Sequence, residues 1–158
     1  MIQLVAFRID DRSYALPLST VERIVRAVEI IPLPKAPAIV LGIVNVGGCI
    51  IPVVNLRKRF HLPDKELQPT DQFILSQCGC RTVALVVDEV SSVVEGFERE
   101  VVAAPEILPG LEYIQGVARL EDGMILIYDL QKFLSLEEEA ALDDALVNAL
   151  GLDVQTTS

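Results

Sequence analysis

The sequence predicts an all-β fold of two small five-stranded barrels in one compact unit, followed by a single C-terminal α-helix. The 158 residues include 20 Val and 14 Ile but 5 Phe and no Trp, and β-branched side chains favour strands over helices. Short apolar segments separated by turn residues recur along the chain. The two halves also share a residue pattern, which indicates a duplicated β unit.

The first half of the chain is predicted to contain five strands. Residues 21–31 have a spacing of apolar residues that is also compatible with a helix, but their β-branched content favours a strand. Gly47 and Gly48 separate two apolar runs and predict a two-residue hairpin. The predicted strands cover residues 2–9, 14–18, 21–31, 42–46 and 49–54.

The second half is predicted to contain five more strands. Residues 61–72 are polar and hold two prolines, which makes them the best linker candidate. Gly79 predicts a turn, and Glu121-Asp122-Gly123 predicts a hairpin. The predicted strands cover residues 73–76, 83–87, 90–97, 114–120 and 124–128.

A helix is predicted for residues 135–150. Ser135 is a suitable N-cap, Glu138 completes a capping box, and Gly151 is a natural stop. Leu142, Leu146 and Leu150 share one face, so the helix either packs on the barrels or binds a partner. Residues 151–158 are expected to be a frayed tail.

The repeat defines the predicted domain organisation. Residues 42–60 align without gaps to residues 116–134, and each block is predicted as strand, tight turn, strand and short helical turn. A second match pairs Ala15-Leu16 with Ala84-Leu85. We therefore expect one domain over residues 1–134, with lobes at about 10–70 and 71–134 and with strand 2–9 unassigned to either lobe.

Charge and hydropathy exclude several classes of protein. The net charge is −10, and no basic stripe stands out, so no nucleic-acid partner is expected. No signal peptide is recognisable. The longest apolar stretch, residues 39–54, contains Asn45 and Pro52 and is shorter than the ~20 residues of a spanning helix, so no membrane insertion is expected. Three cysteines form no disulfide framework, which favours a cytoplasmic location.

The sequence offers little catalytic chemistry. His61 is the single histidine, and nothing near it in the sequence marks a nucleophile. Cys78-Gly79-Cys80 lacks the further ligands of a closed zinc site, and Gly47-Gly48 lacks the lysine of a phosphate loop. We therefore expect a protein that is not an enzyme and needs neither metal nor cofactor.

The apolar and turn residues together form a family pattern that covers about residues 7–134. Its central block is the most specific part. The pattern comprises Phe7-x-Ile9, Tyr14-Ala15-Leu16, Val21-x-x-Ile24, Leu33-Pro34-x-x-Pro37, Leu41-Gly42-Ile43-x-Asn45-x-x-Gly48-x-x-x-Pro52-Val53-x-x-Leu56 and Val87-Asp88-x-Val90-x-x-Val93. This pattern resembles the CheW family of bacterial chemotaxis coupling proteins.

The resemblance implies two SH3-like β-barrel lobes with a groove between them. It implies a non-catalytic adaptor that couples the cytoplasmic tip of chemoreceptors to the regulatory domain of the CheA histidine kinase, which has the same fold. The matching positions near the receptor groove are Val21, Ile24, Val90 and Val93, for which barrel core is the alternative. The positions that shape the functional hairpin face are Gly42, Asn45, Gly47 and Gly48.

Two residues depart from the family pattern. Family members usually carry Arg where this chain has Gly47, and Asp where it has Asn55. Loss of the arginine removes a charged side chain with several hydrogen-bond donors. The alternatives are therefore a divergent docking module for another phosphorelay, such as one for surface motility, or an unrelated β-barrel that binds a small molecule.

Overall fold

The computed structural model describes residues 2–79, 81–100, 113–120 and 123–151, with the backbone alone at 98–100. Ten strands, one short helix and one longer helix follow in chain order. They are β1 Ile2–Ile9, β2 Arg12–Pro17, β3 Val21–Arg26, β4 Val40–Val46, β5 Cys49–Val54, α1 Leu56–Arg59, β6 Gln72–Cys78, β7 Arg81–Val87, β8 Glu89–Glu100, β9 Ile114–Leu120, β10 Gly123–Tyr128 and α2 Leu136–Leu150.

The strands form two five-stranded sheets. One is a closed barrel with the order β1-β2-β10-β9-β8, and the other has the order β3-β6-β7-β5-β4. In the second sheet, the outer strands β3 and β4 do not pair; among the described residues, one isolated bridge, between Ile31 and Ile43, links the segments beside them. The predicted all-β fold class, with two five-stranded units and a C-terminal helix, is confirmed. Of the two predicted barrels, one is closed, and the other is an open sheet because β3 and β4 do not pair.

The sheets do not follow the sequential lobes predicted at 10–70 and 71–134. Strands β6 and β7 complete the sheet of β3–β5, and the N-terminal hairpin β1–β2 completes the barrel of β8–β10. Residues 61–72 therefore connect strands of one sheet instead of two lobes. The chain passes from the open sheet to the barrel at Asp88. The sequence contains no linker at this point, because β7 ends at Val87 and β8 begins at Glu89.

The two sheets repeat each other in strand register. Gly42 pairs with Val53 in β4–β5, and the aligned residues Gly116 and Ile127 pair in β9–β10. A bulge follows at the same place in both hairpins, between Val40 and Gly42 and between Ile127 and Tyr128. The open sheet thus corresponds to the barrel strand by strand, with β3–β7 equivalent to β8, β9, β10, β1 and β2.

The equivalence extends to the turns after the hairpins. Asn55 caps α1 by accepting a hydrogen bond from the Lys58 N–H, and Asp129 caps the following 3-10 turn by accepting one from Gln131. The backbone N–H groups of Asn55 and Asp129 each donate at 2.7 Å to the carbonyl sixteen residues earlier. Such repetition of caps and bulges is expected of a duplicated unit.

Three clusters of buried side chains hold the molecule together. Each sheet encloses a small cluster, and the six members of one cluster occupy the same register positions as the six of the other. The barrel cluster is Leu4, Ala6, Ala15, Ala118, Ile125 and Ile127; the open-sheet cluster is Phe73, Leu75, Ala84, Val44, Ile51 and Val53. A third, larger cluster lies between the sheets and includes residues of both.

Helix α2 packs against this central cluster through Leu142, Ala145 and Leu146. The predicted capping box is present, because the Ser135 hydroxyl accepts from the Glu138 N–H and the Glu138 carboxylate accepts from the Ser135 N–H. Gly151 ends the helix in a left-handed conformation, as predicted. The helix therefore packs on the sheets, which was the first of its two predicted roles.

Two arginines of the open sheet and its first helix tether α2. Arg59 donates to the Glu138 carboxylate and, through Nε, to the Phe133 carbonyl at 2.6 Å. Arg81 donates to the Asp143 carboxylate. These ion pairs connect α2 to both α1 and β7.

Some predicted elements differ or fall outside the described residues. Strand β3 ends at Arg26 and not at residue 31, because the next residues leave the sheet before the prolines. The predicted turn residues Glu121 and Asp122, together with Cys80 and residues 152–158, lie outside the described part of the chain. Among the described helices, none has the length and apolar character to cross a membrane.

Candidate functional site

The β4–β5 hairpin is exposed to solvent, and a hydrogen bond between two of its own residues fixes the turn. Gly47 and Gly48 have φ values of +58° and +88°, which side chains other than glycine rarely adopt. The Asn45 side chain accepts a hydrogen bond at 2.9 Å from the Gly48 N–H. A Cβ at position 47 would meet no atom within 4 Å. The hairpin therefore has no side chain at position 47, where the family pattern places arginine.

Gly42 lies in the same hairpin but has a packing role. Its φ is +154°, and a Cβ there would run into the Ile31 carbonyl and the Ile30 side chain. Ile31 pairs with Ile43 by two backbone hydrogen bonds of 2.8 Å. Gly42 thus lets the segment after β3 approach β4 closely enough for the Ile31–Ile43 bridge to form.

The four predicted apolar site residues occupy equivalent places in the two sheets. Val21 and Val90 are half-buried and pack against the central cluster. Ile24 and Val93 are exposed, by 37% and 54%. A bulge between Val21 and Arg23 keeps Val21 and Ile24 on one face, and the matching bulge in β8, between Val90 and Ser92, does the same for Val90 and Val93.

The structure separates these four residues by their exposure to solvent. Val21 and Val90 are half-buried and pack at the margin of the central cluster. Ile24 and Val93 leave an apolar side chain in solvent at the same position of each sheet. The hairpin lies beside β3, because Gly48 and Arg23 line one cleft.

A charged network holds the two sheets at the point where the chain passes between them. Arg57 of α1 donates to both oxygens of Asp10, at 2.9 and 3.0 Å, and to Asp88 at 3.2 Å. The Asp88 carboxylate accepts from the Asp10 N–H at 2.8 Å. Arg57 and Asp88 are 13% and 14% exposed, so this pair is partly shielded from water.

The pKa values of the network follow from its geometry. The hydrogen bond from Arg57 lowers the pKa of Asp10 below its ordinary value of 3.8. The same bond raises the pKa of Arg57. Both residues are therefore charged at neutral pH, and their ion pair links the β1–β2 turn to α1.

In the described part of the chain, no group of three His, Cys, Asp or Glu side chains is placed to hold a metal ion. Cys78 is buried and donates to the Leu130 carbonyl at 3.1 Å, and burial raises its pKa to about 11. Cys49 is exposed on β5, and His61 is exposed after α1. A thiol held in its neutral form is a poor nucleophile.

Comparison with known proteins identifies the family. The model of the CheW-like domain matches residues 3–138. The chain belongs to the CheW-like domain family. The resemblance stated from the sequence pattern is therefore confirmed, and the match covers both sheets and the first residues of α2.

Several CheW proteins are similar to this chain along most of its length. The chemotaxis protein CheW of Treponema pallidum is 32% identical over 86% of this chain and 84% of its own. The chemotaxis protein CheW of Rhizobium meliloti is 32% identical over 88% and 92%. The crystal structure of the scaffolding protein TtCheW from Thermoanaerobacter tengcongensis is 27% identical, with a TM-score of 0.74 over 87% of this chain and 90% of that one.

The sequence analysis did not identify the part of this CheW-like domain that joins its sheets. Arg57 and Asp10 are far apart in the sequence, so no local pattern connects them. The internal repeat contained a usable signal. Gln131 aligns with Arg57, and its side chain accepts a hydrogen bond at 3.0 Å from Gly79, which aligns with Asp10.

Proposed function

We propose that this protein is a non-catalytic chemotaxis scaffold that couples chemoreceptors to a CheA-type histidine kinase. The kinase regulatory domain and the cytoplasmic tip of the receptor are its two partners. The observation that carries the proposal is the family match over residues 3–138, supported by relatives described as chemotaxis and scaffolding proteins.

We assign the docking face to the exposed apolar residues on the equivalent strands β3 and β8 and to the hairpin beside β3. Ile24 and Val93 supply apolar contact area, and Val21 and Val90 support them from below. Gly42, Asn45, Gly47 and Gly48 fix the shape of the adjoining hairpin. Apolar centres with polar rims are typical of protein interfaces of moderate affinity.

Titration calorimetry with the CheA regulatory domain and a receptor tip from the same organism tests this proposal. Ile24→Glu and Val93→Glu place a charge at the centre of the face and should each weaken binding of at least one partner by about tenfold or more, since a buried unpaired charge is costly. Leu136→Glu is the matched control, because Leu136 is 85% exposed at the start of α2, outside the docking face. Its affinities should equal those of the unmodified protein.

The outcomes separate the parts of the proposal. Binding of neither partner by the unmodified protein would overturn the scaffold function. Binding with no effect of either glutamate would keep the function and reject this face. Gly47→Arg tests the hairpin: position 47 has room for a side chain, but its φ of +58° strains any residue other than glycine, so Gly47→Ala is the control for strain. A change of affinity in the arginine variant alone would support a place for the hairpin in the interface.

A further inference from the structure

The open sheet and the closed barrel differ at one flank. In the barrel, β8 and β9 pair from Phe97 with Arg119 through to residue 100 with Gly116. The equivalent strands β3 and β4 share no ladder, and only the Ile31–Ile43 bridge links the segments beyond. The β8–β9 pairing closes the barrel, and the equivalent β3–β4 pairing is absent from the open sheet.

The edge of β3 that faces away from β6 carries backbone N–H and C=O groups whose positions follow from the β3–β6 register. The Ala27 N–H donates to the Asp71 carbonyl at 3.0 Å, in the register that continues from the β3–β6 ladder. Hydrogen-bonded positions alternate along an antiparallel pair, so the N–H and C=O groups of Ile24 and Arg26 point away from β6. The described residues offer these groups no ladder partner, which makes this edge a template for another strand.

A groove with an apolar floor runs beside this edge. Its volume is about 800 Å³, and it lies between β3, the β4–β5 hairpin and α2. Ile51 and Leu75, from the small cluster of the open sheet, form part of its lining, and Leu146 of α2 closes one side. The missing β3–β4 pairing is what exposes this floor.

The charge of the groove is set by one arginine. Glu22 accepts hydrogen bonds from Gln77 and Thr82, and Arg81 is paired with Asp143. Arg23 also lines the groove, on the same face as its register partner Leu75, and no carboxylate of the described residues pairs with it. Ser92 stands at the equivalent position of the barrel, so the free guanidinium belongs to the open sheet alone.

We propose that this flank binds an extended segment of a partner protein, which adds as a strand to the free edge of β3. The segment places an apolar side chain over Leu75 and a carboxylate on Arg23. Main-chain pairing supplies affinity and the alternate side chains supply specificity, as in other cases of strand addition. This inference goes beyond the proposed function, since it requires neither a receptor nor a kinase.

The test uses synthetic peptides and the full chain. The probe, called the Val–Glu peptide, is a blocked peptide of about eight residues in which Val and Glu take turns at every second position and Thr stands between them; at ~3.3 Å per residue it exceeds the length of β3. Its Val and Glu side chains therefore share one face of the added strand, as the positions of Leu75 and Arg23 require. Two further probes are the same peptide with N-methyl groups on alternate residues, one for each register. The same peptide with Lys in place of Glu, called the Val–Lys peptide, tests the charge. Calorimetry measures affinity, and amide hydrogen exchange locates the contact.

The Val–Glu peptide should bind and should slow exchange at Ile24 and Arg26 by about tenfold or more at saturation. At least one N-methylated peptide and the Val–Lys peptide should bind about tenfold more weakly or not at all. Arg23→Glu should weaken binding of the Val–Glu peptide by a similar factor. Lys132→Glu, an exposed site with the same change of charge, should have no effect.

Three results would overturn the inference: no binding of the Val–Glu peptide at millimolar concentration, binding of both N-methylated peptides as tightly as the unmethylated one, or equal affinity in the Arg23→Glu variant. The first result leaves the scaffold function intact, because the kinase and receptor experiments do not use the peptide. Failure of those experiments with successful peptide binding would reject the scaffold function and keep the docking edge.

Discussion

At the residue scale, Gly42 shows how backbone packing can require a missing side chain. Gly42→Ala should destabilise the protein by about 2 kcal/mol or more, because the new Cβ meets the Ile31 carbonyl. Gly123→Ala is the matched control: Gly123 has a φ of +151° but no atom within 4 Å of its Cβ position. Urea unfolding of both variants separates the collision from backbone strain. Equal destabilisation would show that strain alone accounts for the effect.

Ser76 is a buried polar residue whose hydroxyl group lowers the stability of the fold. It is fully buried, and its hydroxyl has no hydrogen-bond partner among the described residues. Ser76→Ala should therefore raise the free energy of unfolding by about 1 kcal/mol, since an unpaired buried hydroxyl costs about that much. Ser13→Ala, at an exposed position of β2, should change nothing in the same thermal unfolding measurement. A less stable Ser76→Ala variant would mean that the hydroxyl finds a partner.

Asp10 makes the stability of the molecule depend on pH. Its pKa in the folded protein lies below 3.8, so its stabilising effect is complete above 3.8 and is lost as the pH falls through the folded value. Asp10→Asn should lower the urea midpoint at neutral pH, and its difference from the unmodified protein should shrink in acid. Asp11→Asn, at the next exposed residue, is the control. A difference that stays constant with pH would contradict the role of the Asp10–Arg57 pair.

The sequence could not separate core from surface at the paired site residues, for a physical reason. Val21 and Ile24 are three residues apart, a spacing that suits a helix face and that a regular strand would place on opposite sides. The bulge after Val21 restores them to one face. Both burial and partner binding favour the same aliphatic side chains, so only the structure shows that Val21 is packed and Ile24 is exposed.

At the scale of the element, α2 was predicted correctly because all its signals are local. Capping box, acidic first turn and terminal glycine lie within its own residues. Its two tethers, Arg59 and Arg81, could not be predicted, since they come from elements far away in the sequence.

The attachment of α2 depends on its buried face. Leu142→Ala should lower the free energy of unfolding by about 2–5 kcal/mol, because Leu142 is fully buried in the central cluster. Leu136→Ala, at the exposed start of the helix, should be nearly neutral. Chemical denaturation followed by circular dichroism compares the two. If the Leu142 variant were as stable as the control, α2 would not be part of the cooperative core.

At the scale of the whole molecule, the sequence revealed the repeat but not how its parts are combined. The gapless alignment recurs in the register of β4–β5 and β9–β10. The assignment of β1 and β2 to the distant barrel depends on pairings between remote residues, such as Val5 with Val93. Local patterns contain no information on such partners, and the equal length of the two halves favoured the sequential division.

This interleaving predicts how the chain responds to being cut. A fragment of residues 21–158 should lack a complete barrel, because β8 loses β1 and β10 loses β2. Addition of a peptide of residues 1–20 should restore the near-native amide spectrum, since all the missing barrel contacts come from that hairpin. Restoration by a scrambled peptide, or a barrel spectrum from residues 71–134 alone, would contradict the observed topology.

The same N-terminal hairpin has a consequence for the order of events at the ribosome. Strands β3–β7 form one uninterrupted stretch, so their sheet can assemble as soon as residue 87 has emerged. The hairpin β1–β2 precedes these strands in the chain but pairs with β8–β10, which follow them. Its apolar residues stay without their barrel partners throughout that interval, when nascent chains are most exposed to aggregation. The hairpin thus reaches its partners only after the whole open sheet has been synthesised.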